Sequence, residues 1–155
     1  MSPTIKFLGA VGTVTGSRFI VQGQSSKVMI DCGLYQGLKE LRLKNWEKFP
    51  EDPKSIDAIV ISHAHLDHCG YLPKLVREGY EGPIYCTPYT AKLAGIVLRD
   101  SAKLQTEDAK YAKKKVIQNI KTQQVYMTSK KQNAQLLYFD QFRFMKLLKW
   151  RQILQ

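Results

Sequence analysis

The chain has 155 residues, with 24 Lys and Arg against 13 Asp and Glu, 44% hydrophobic residues, ten Gly, three Cys and three His. That length suits one domain and that apolar fraction suits a packed core, so wholesale disorder and fibrous repeats are excluded. No apolar run approaches the roughly eighteen residues of a membrane span, and the opening Met1-Ser2-Pro3-Thr4 lacks a secretory signal, which makes the cytoplasm the expected location.

Thr4 to Leu8 alternates and meets Gly9, Ser17 to Val21 ends near Gly23, and Lys27 to Ile30 runs into Asp31-Cys32-Gly33. Three short strands with turn-length gaps predict an antiparallel meander. The glycine-rich stretch from Gly9 to Ser17 lacks the Gly-Lys-Ser/Thr ending of a nucleotide loop and precedes a strand, so backbone flexibility is its better account. From Gly37 to Lys48, Leu38, Leu41, Leu43 and Trp46 alternate with charges, which predicts a short helix or loop over the sheet, closed by Pro50 and Pro53. Asp57 to Ser62 is β-rich and apolar, as a buried central strand is. Tyr71 to Glu78 has helical spacing, and Pro83 to Cys86 is a further short strand. Thr87-Pro88 then opens a helix that extends from Thr90 to about Lys115, with Leu93, Ile96, Val97, Ala102, Leu104 and Tyr111 as its expected buried stripe. The order of elements places the chain in the α/β (α+β) class.

Beyond Lys115 the texture changes, and the expected organisation is residues 1–115 followed by a divergent segment, 116–155. Val116 to Gln135 is polar, whereas Leu136 to Trp150 is so apolar that, if helical, it needs cover on nearly every side, from sequence elsewhere or from another chain. Residues 101–155 carry 12 basic and 3 acidic side chains, against 12 and 10 in residues 1–100. A basic segment of this kind attracts polyanions such as nucleic acid, although Lys113-Lys114-Lys115 alone reads as a solvated helix face. Cys32, Cys69 and Cys86 form no CxxC pair and are expected as reduced thiols.

All three histidines fall in His63-Ala64-His65-Leu66-Asp67-His68, directly after the predicted buried strand. Alternation in an extended stretch puts His63 and His65 on one side, where both can hold one metal ion. As the chain turns into a helix, Asp67 and His68 face a neighbouring position. Four donors in this arrangement suit two zinc ions sharing a water whose pKa falls toward neutrality, with manganese or iron as alternatives. Cys69 reads as a small buried helix-start residue rather than a donor.

His-x-His-x-Asp-His at a strand-to-helix junction resembles the signature of the metallo-β-lactamase fold hydrolases. Phe7 to Ser17, Ile30-Asp31-Cys32-Gly33-Leu34-Tyr35-Gln36-Gly37, Gly70 to Leu75 and Gly82 to Thr87 resemble the β-CASP branch of that group, which includes RNA-processing nucleases. The motifs cover about residues 4–115. The resemblance implies half of a four-layer αβ/βα sandwich, with His63 and His65 on a first zinc and Asp67 and His68 on a second. It also implies that Asp67 is catalytic, touching the nucleophilic water, and that Asp31 steadies the metal loop through hydrogen bonds from outside the coordination shell. A turn-capping role for Asp31 before Gly33 is the alternative.

The family's remaining ligands lie further along its chain, and no His follows His68 here. The expectation is therefore an amino-terminal fragment of a longer nuclease, with little or no hydrolase activity of its own. The expected reaction is RNA phosphodiester cleavage by a two-zinc-activated hydroxide. The alternatives are a non-catalytic domain that binds metal, RNA, a full-length relative or another copy of itself, and a hydrolase of small esters, thioesters or lactams.

Overall fold

The computed structural model describes residues 2–122 and 150–152. The chain forms two compact units, Met1–Leu98 with Phe142–Gln155, and Arg99–Gln141. The first holds a six-stranded sheet in sequence order: β1 (Thr4–Phe7), β2 (Phe19–Gln22), β3 (Lys27–Ile30), β4 (Ala58–Val60), β5 (Ile84–Cys86) and β6 (Trp150–Gln152). Strands β1 to β3 are antiparallel, as the meander requires, and β3 to β6 are parallel. Parallel neighbours need a crossover. Helix α1 (Lys39–Leu43) and two 3-10 turns, Lys44–Trp46 and Pro53–Ser55, occupy the crossover from β3 to β4, and α2 (Leu66–Cys69) and α3 (Leu72–Arg77) the one from β4 to β5. Helix α4 (Pro88–Thr122) follows β5.

The strand register separates two faces. Ile20, Met29, Ile59 and Ile84 are paired in one row across four strands, and none is more than 3% exposed. One residue along, Phe7, Phe19, Ile30, Val60 and Tyr85 form a row on the opposite face, where Phe7 and Ile30 remain exposed among the described residues. Phe7 and Phe19 meet edge to face across β1 and β2, at 5.5 Å and 90°. Side-chain alternation makes this division: a shift of register by one residue would bring Phe19 and Ile30 to the buried face and send Ile20 and Met29 out.

The α/β expectation is met, and the predicted strands and helices lie within a residue or two of the observed ones. Three readings change. Helix α4 begins where expected, with the Thr87 hydroxyl accepting the Thr90 N–H at 3.2 Å, but it continues beyond Lys115 to Thr122. Its buried side carries Ala94, Leu98 and Ala102, spaced four apart, while Leu93, Ile96, Leu104 and Tyr111 are more than half exposed. The helix is apolar on two sides, so hydrophobic periodicity could not choose between them. The apolar segment ending at Trp150 falls mostly outside the described residues, but Trp150 itself opens β6 rather than closing a helix.

Cys32, Cys69 and Cys86 are free thiols, and all three are buried. Burial pushes the Cys69 thiol up to about 12 and the Cys86 thiol up to about 11, from an ordinary 9.0. The Cys32 thiol is raised further for the same reason, and the Tyr71 and Tyr80 hydroxyls shift in the same direction. An unfolded chain releases these thiol protons near 9.0 and the folded chain does not. The associated stability is thus complete below pH 9.0 and drains away as pH rises toward 12. We expect the urea midpoint to fall between mildly and strongly alkaline buffer, and native thiols to resist a thiol reagent that labels the unfolded chain. A midpoint flat across that range would contradict the burial argument.

Candidate metal centre

His63 and His65 lie on the loop between β4 and α2, Asp67 and His68 lie in α2 itself, and the position of this segment is set by backbone hydrogen bonds. Helix α2 has only four residues, so its carbonyls find few partners within the helix. Three of them accept from outside: Leu66 O from Leu34 N at 2.9 Å, Asp67 O from Ser17 N at 2.9 Å and His68 O from Cys32 N at 2.7 Å. Gly33 N donates to Ser17 O at 3.0 Å, and Tyr71 N donates to Cys32 O at 2.9 Å. Residues 17 and 32–34 thus clasp the loop. Gly33 is where the two segments come closest, since a Cβ there would lie 1.6 Å from Asp67 O.

Arg18 braces the clasp from behind. It is 3% exposed, with Nε donating to Gly33 O at 2.7 Å and a terminal nitrogen donating to Asn45 Oδ1 at 3.2 Å. Its guanidinium lies 3.9 Å from the centre of the Tyr71 ring and 5.0 Å from that of Tyr35. Asn45 Oδ1 also accepts the Tyr35 N–H at 2.8 Å, and its amide donates to Tyr35 O at 2.8 Å.

Asp31, at the end of β3, is 4% exposed and has φ 57°, a left-handed conformation uncommon outside glycine. From there its carboxylate reaches both the Ser62 backbone and the His68 ring. Oδ1 accepts from Ser62 N and Ser62 Oγ, each at 2.8 Å, and Oδ2 lies 2.7 Å from His68 Nδ1 and 3.2 Å from Ser17 Oγ.

The four donors stand as two adjoining pairs. His63 Nε2 is 3.1 Å from His65 Nδ1, and His68 Nε2 is 3.5 Å from Asp67 Oδ2. The rings of His63 and His68 have centroids 3.9 Å apart, which joins the pairs. Two ligands at about 2.0–2.1 Å from a tetrahedral zinc are separated by roughly 3.3 Å, the edge of the tetrahedron. Each pair has about that spacing, and its imidazole and carboxylate atoms are the donor types that suit zinc. Among the described residues, no group of three or more such donors is arranged around a single point. Cys69 lies one residue past His68, but its Sγ is directed at Ala64 O, 3.5 Å away, and the side chain is buried.

Sequence reasoning named the donors and Asp31 but missed Ser62, Ser17, Arg18 and Asn45. A serine next to a histidine motif carries a weak signal. A buried arginine and asparagine carry none, because their polar character resembles that of surface residues.

A family model described as the metallo-β-lactamase superfamily matches residues 11–125, most of the chain. The chain belongs to the metallo-β-lactamase superfamily. The fold of that superfamily implies bound metal ions. The chain is 48% identical over 99 residues to a ribonuclease of Thermus thermophilus, covering 64% of this chain and 22% of that protein. It is 34% identical over 106 residues to a transcription termination factor of Methanocaldococcus jannaschii, covering 68% of this chain and 17% of the factor. Among solved structures it is similar to the short form of human tRNase Z, with 22% identity and a TM-score of 0.39 over 64% of this chain and 40% of that one. The chain thus spans about a fifth of the length of the curated relatives it matches.

Proposed function

We propose that this metallo-β-lactamase chain contributes part of a two-zinc centre for hydrolysing RNA phosphodiesters, as in the β-CASP branch it resembles. The observation that carries the reading is the pair of half-shells, His63 with His65 and Asp67 with His68, at ligand-edge spacing and backed by Asp31 and Ser62. A ribonuclease and a transcription termination factor among the relatives support RNA as the substrate class.

In this reading His63 and His65 hold one ion, and Asp67 and His68 hold the other. Zinc bound there supplies Lewis acidity toward a phosphate oxygen and a bound water with a pKa lowered to about 7. Asp67 is the catalytic side chain: its carboxylate accepts a hydrogen bond from the attacking water and orients it. Asp31 and Ser62 keep the imidazoles in place. The basic surplus of residues 101–155 draws the polyanion in, which makes binding salt-dependent. Among the described residues no helix is long and apolar enough to cross a membrane, and we place the reaction in the cytoplasm.

Each pair supplies only some of the ligands a zinc ion needs, so a second reading, metal and RNA binding without turnover, is kept beside the first. The test is a zinc titration of the 155-residue chain, followed by incubation of the loaded chain with single-stranded RNA and with a chromogenic lactam. The expected result is saturable zinc uptake, reduced about 100-fold or more at the first site by His65→Ala, with RNA binding that weakens as salt rises and only slow cleavage. Lactam turnover with the RNA left intact would overturn the substrate class. Undiminished zinc uptake by the His65→Ala chain would overturn the site.

A further inference from the structure

We propose that the Ser62 hydroxyl is a positioning group through which one buried carboxylate, Asp31, orients the imidazole of the first donor pair as well as that of the second. The inference rests on the metal-centre reading above and extends it to a residue outside the donor set.

Proton bookkeeping makes the argument. An ionised Asp31 only accepts, and Ser62 Oγ lies 2.8 and 3.0 Å from its two oxygens, so the single hydroxyl proton is committed to the carboxylate. The hydroxyl oxygen is then an acceptor, and His63 Nδ1 faces it at 3.0 Å. Only an Nδ1–H completes that contact. A neutral imidazole carries one N–H, so fixing it on Nδ1 leaves Nε2 with a free lone pair, and Nε2 is the His63 atom that stands 3.1 Å from His65 Nδ1. The second pair obeys the same rule without an intermediary. His68 Nδ1 lies 2.7 Å from Asp31 Oδ2, which leaves its Nε2, 3.5 Å from Asp67 Oδ2, free to ligate. The opposite tautomer at His63 would place an N–H where a lone pair is needed.

The backbone around the relay is anchored independently of the hydroxyl. Ser62 N donates to Asp31 Oδ1 at 2.8 Å, and Asp31 N donates to Val60 O at 2.8 Å. Removing the Ser62 side-chain oxygen therefore deletes the link to His63 and a longer, 3.4 Å contact with His68 Nδ1, while leaving the strand end and the direct 2.7 Å Asp31–His68 contact intact. Partners of this kind behind a metal-binding histidine are typically worth roughly 10–100-fold in affinity.

The test reads tautomers directly, in the metal-free 155-residue chain with nitrogen-15 histidine in mildly alkaline buffer. Long-range proton–nitrogen spectra are expected to show His63 and His68 as Nδ1–H in the wild type and in Ser62→Thr, which keeps the hydroxyl. In Ser62→Ala, His63 is expected to shift toward the Nε2–H form while His68 stays unchanged. A parallel zinc titration against a chromophoric chelator should show a loss of roughly 10–100-fold at the first site in Ser62→Ala, recovered in Ser62→Thr. Finding His63 as Nε2–H in the wild type, a result that needs no variant to fold, overturns the relay, and so does an unchanged His63 tautomer in Ser62→Ala. Tautomers that follow the prediction in a chain that takes up no zinc would uphold the relay and overturn the metal-centre reading instead. Zinc uptake with tautomers that ignore Ser62 would do the reverse.

Discussion

Gly33→Ala is expected to dislodge the metal loop, at a cost of about 3 kcal/mol or more in stability. The added Cβ would lie 1.6 Å from Asp67 O, 2.1 Å from Asp67 C and 2.7 Å from His68 N, all backbone atoms that no rotamer change can move. Ordinary contact for such a carbon begins at about 3.4 Å, so the two segments must part by more than an ångström. That movement breaks into the set of bonds through which Ser17, Cys32 and Leu34 hold α2, and it displaces the donors Asp67 and His68. Zinc affinity at the second pair should fall about 100-fold with the stability, measured by urea unfolding of the metal-free chain and by chelator competition. Gly37→Ala provides the contrast. Gly37 has φ +80° but nothing within 4 Å of an added Cβ, so the expected penalty is the left-handed backbone alone, about 1 kcal/mol. Equal effects of the two substitutions would show that the close approach of Gly33 to Asp67 is not what matters.

Arg18→Ala is expected to cost about 3 kcal/mol, which lowers Tm by roughly 10 °C for a chain of this size. The guanidinium is buried between the Tyr71 and Tyr35 rings, and its two hydrogen bonds satisfy Gly33 O and Asn45 Oδ1. Truncation leaves these acceptors without their charged donor, loses the ring contacts, and opens a cavity behind the clasp. Arg18→Lys should recover only part of the loss, because an ammonium cannot reproduce the planar fork that serves both acceptors. The effect on zinc should be smaller than that of Gly33→Ala, since the Arg18 side chain reaches the donors indirectly, through Gly33 and Tyr71. Thermal unfolding of the three chains checks the order, and an Arg18→Ala chain as stable as the wild type would remove Arg18 from this account.

The strands were legible because they are short, alternate cleanly and end at glycine or proline: Lys27 to Ile30 becomes β3 residue for residue, and Thr4 to Leu8 becomes Thr4–Phe7. The donor cluster was legible for a different reason. Four ligand-type side chains in six residues after an apolar strand exceed what packing or solvation asks for. The buried side of α4 was not legible, since Leu93, Ile96 and Leu104 carry as strong an apolar signal as the Ala94–Leu98–Ala102 side that is actually covered. Arg18 and Asn45 were invisible for a similar reason: a charged or amide side chain reads as surface until the rings and carbonyls that enclose it are known.

By itself, then, the order of residues determined the α/β class, the short strands of the first ninety residues and the identity of the candidate donors, because each depends on local periodicity or on close spacing along the chain. Tertiary structure decided what holds those donors. Asp31 lies far from His68 in sequence but 2.7 Å away in space, Ser62 turns toward Asp31 and His63, and the lack of a side chain at Gly33 makes room for Asp67. Such contacts join segments separated by dozens of residues, and their energies depend on distances that only the assembled sheet brings into range.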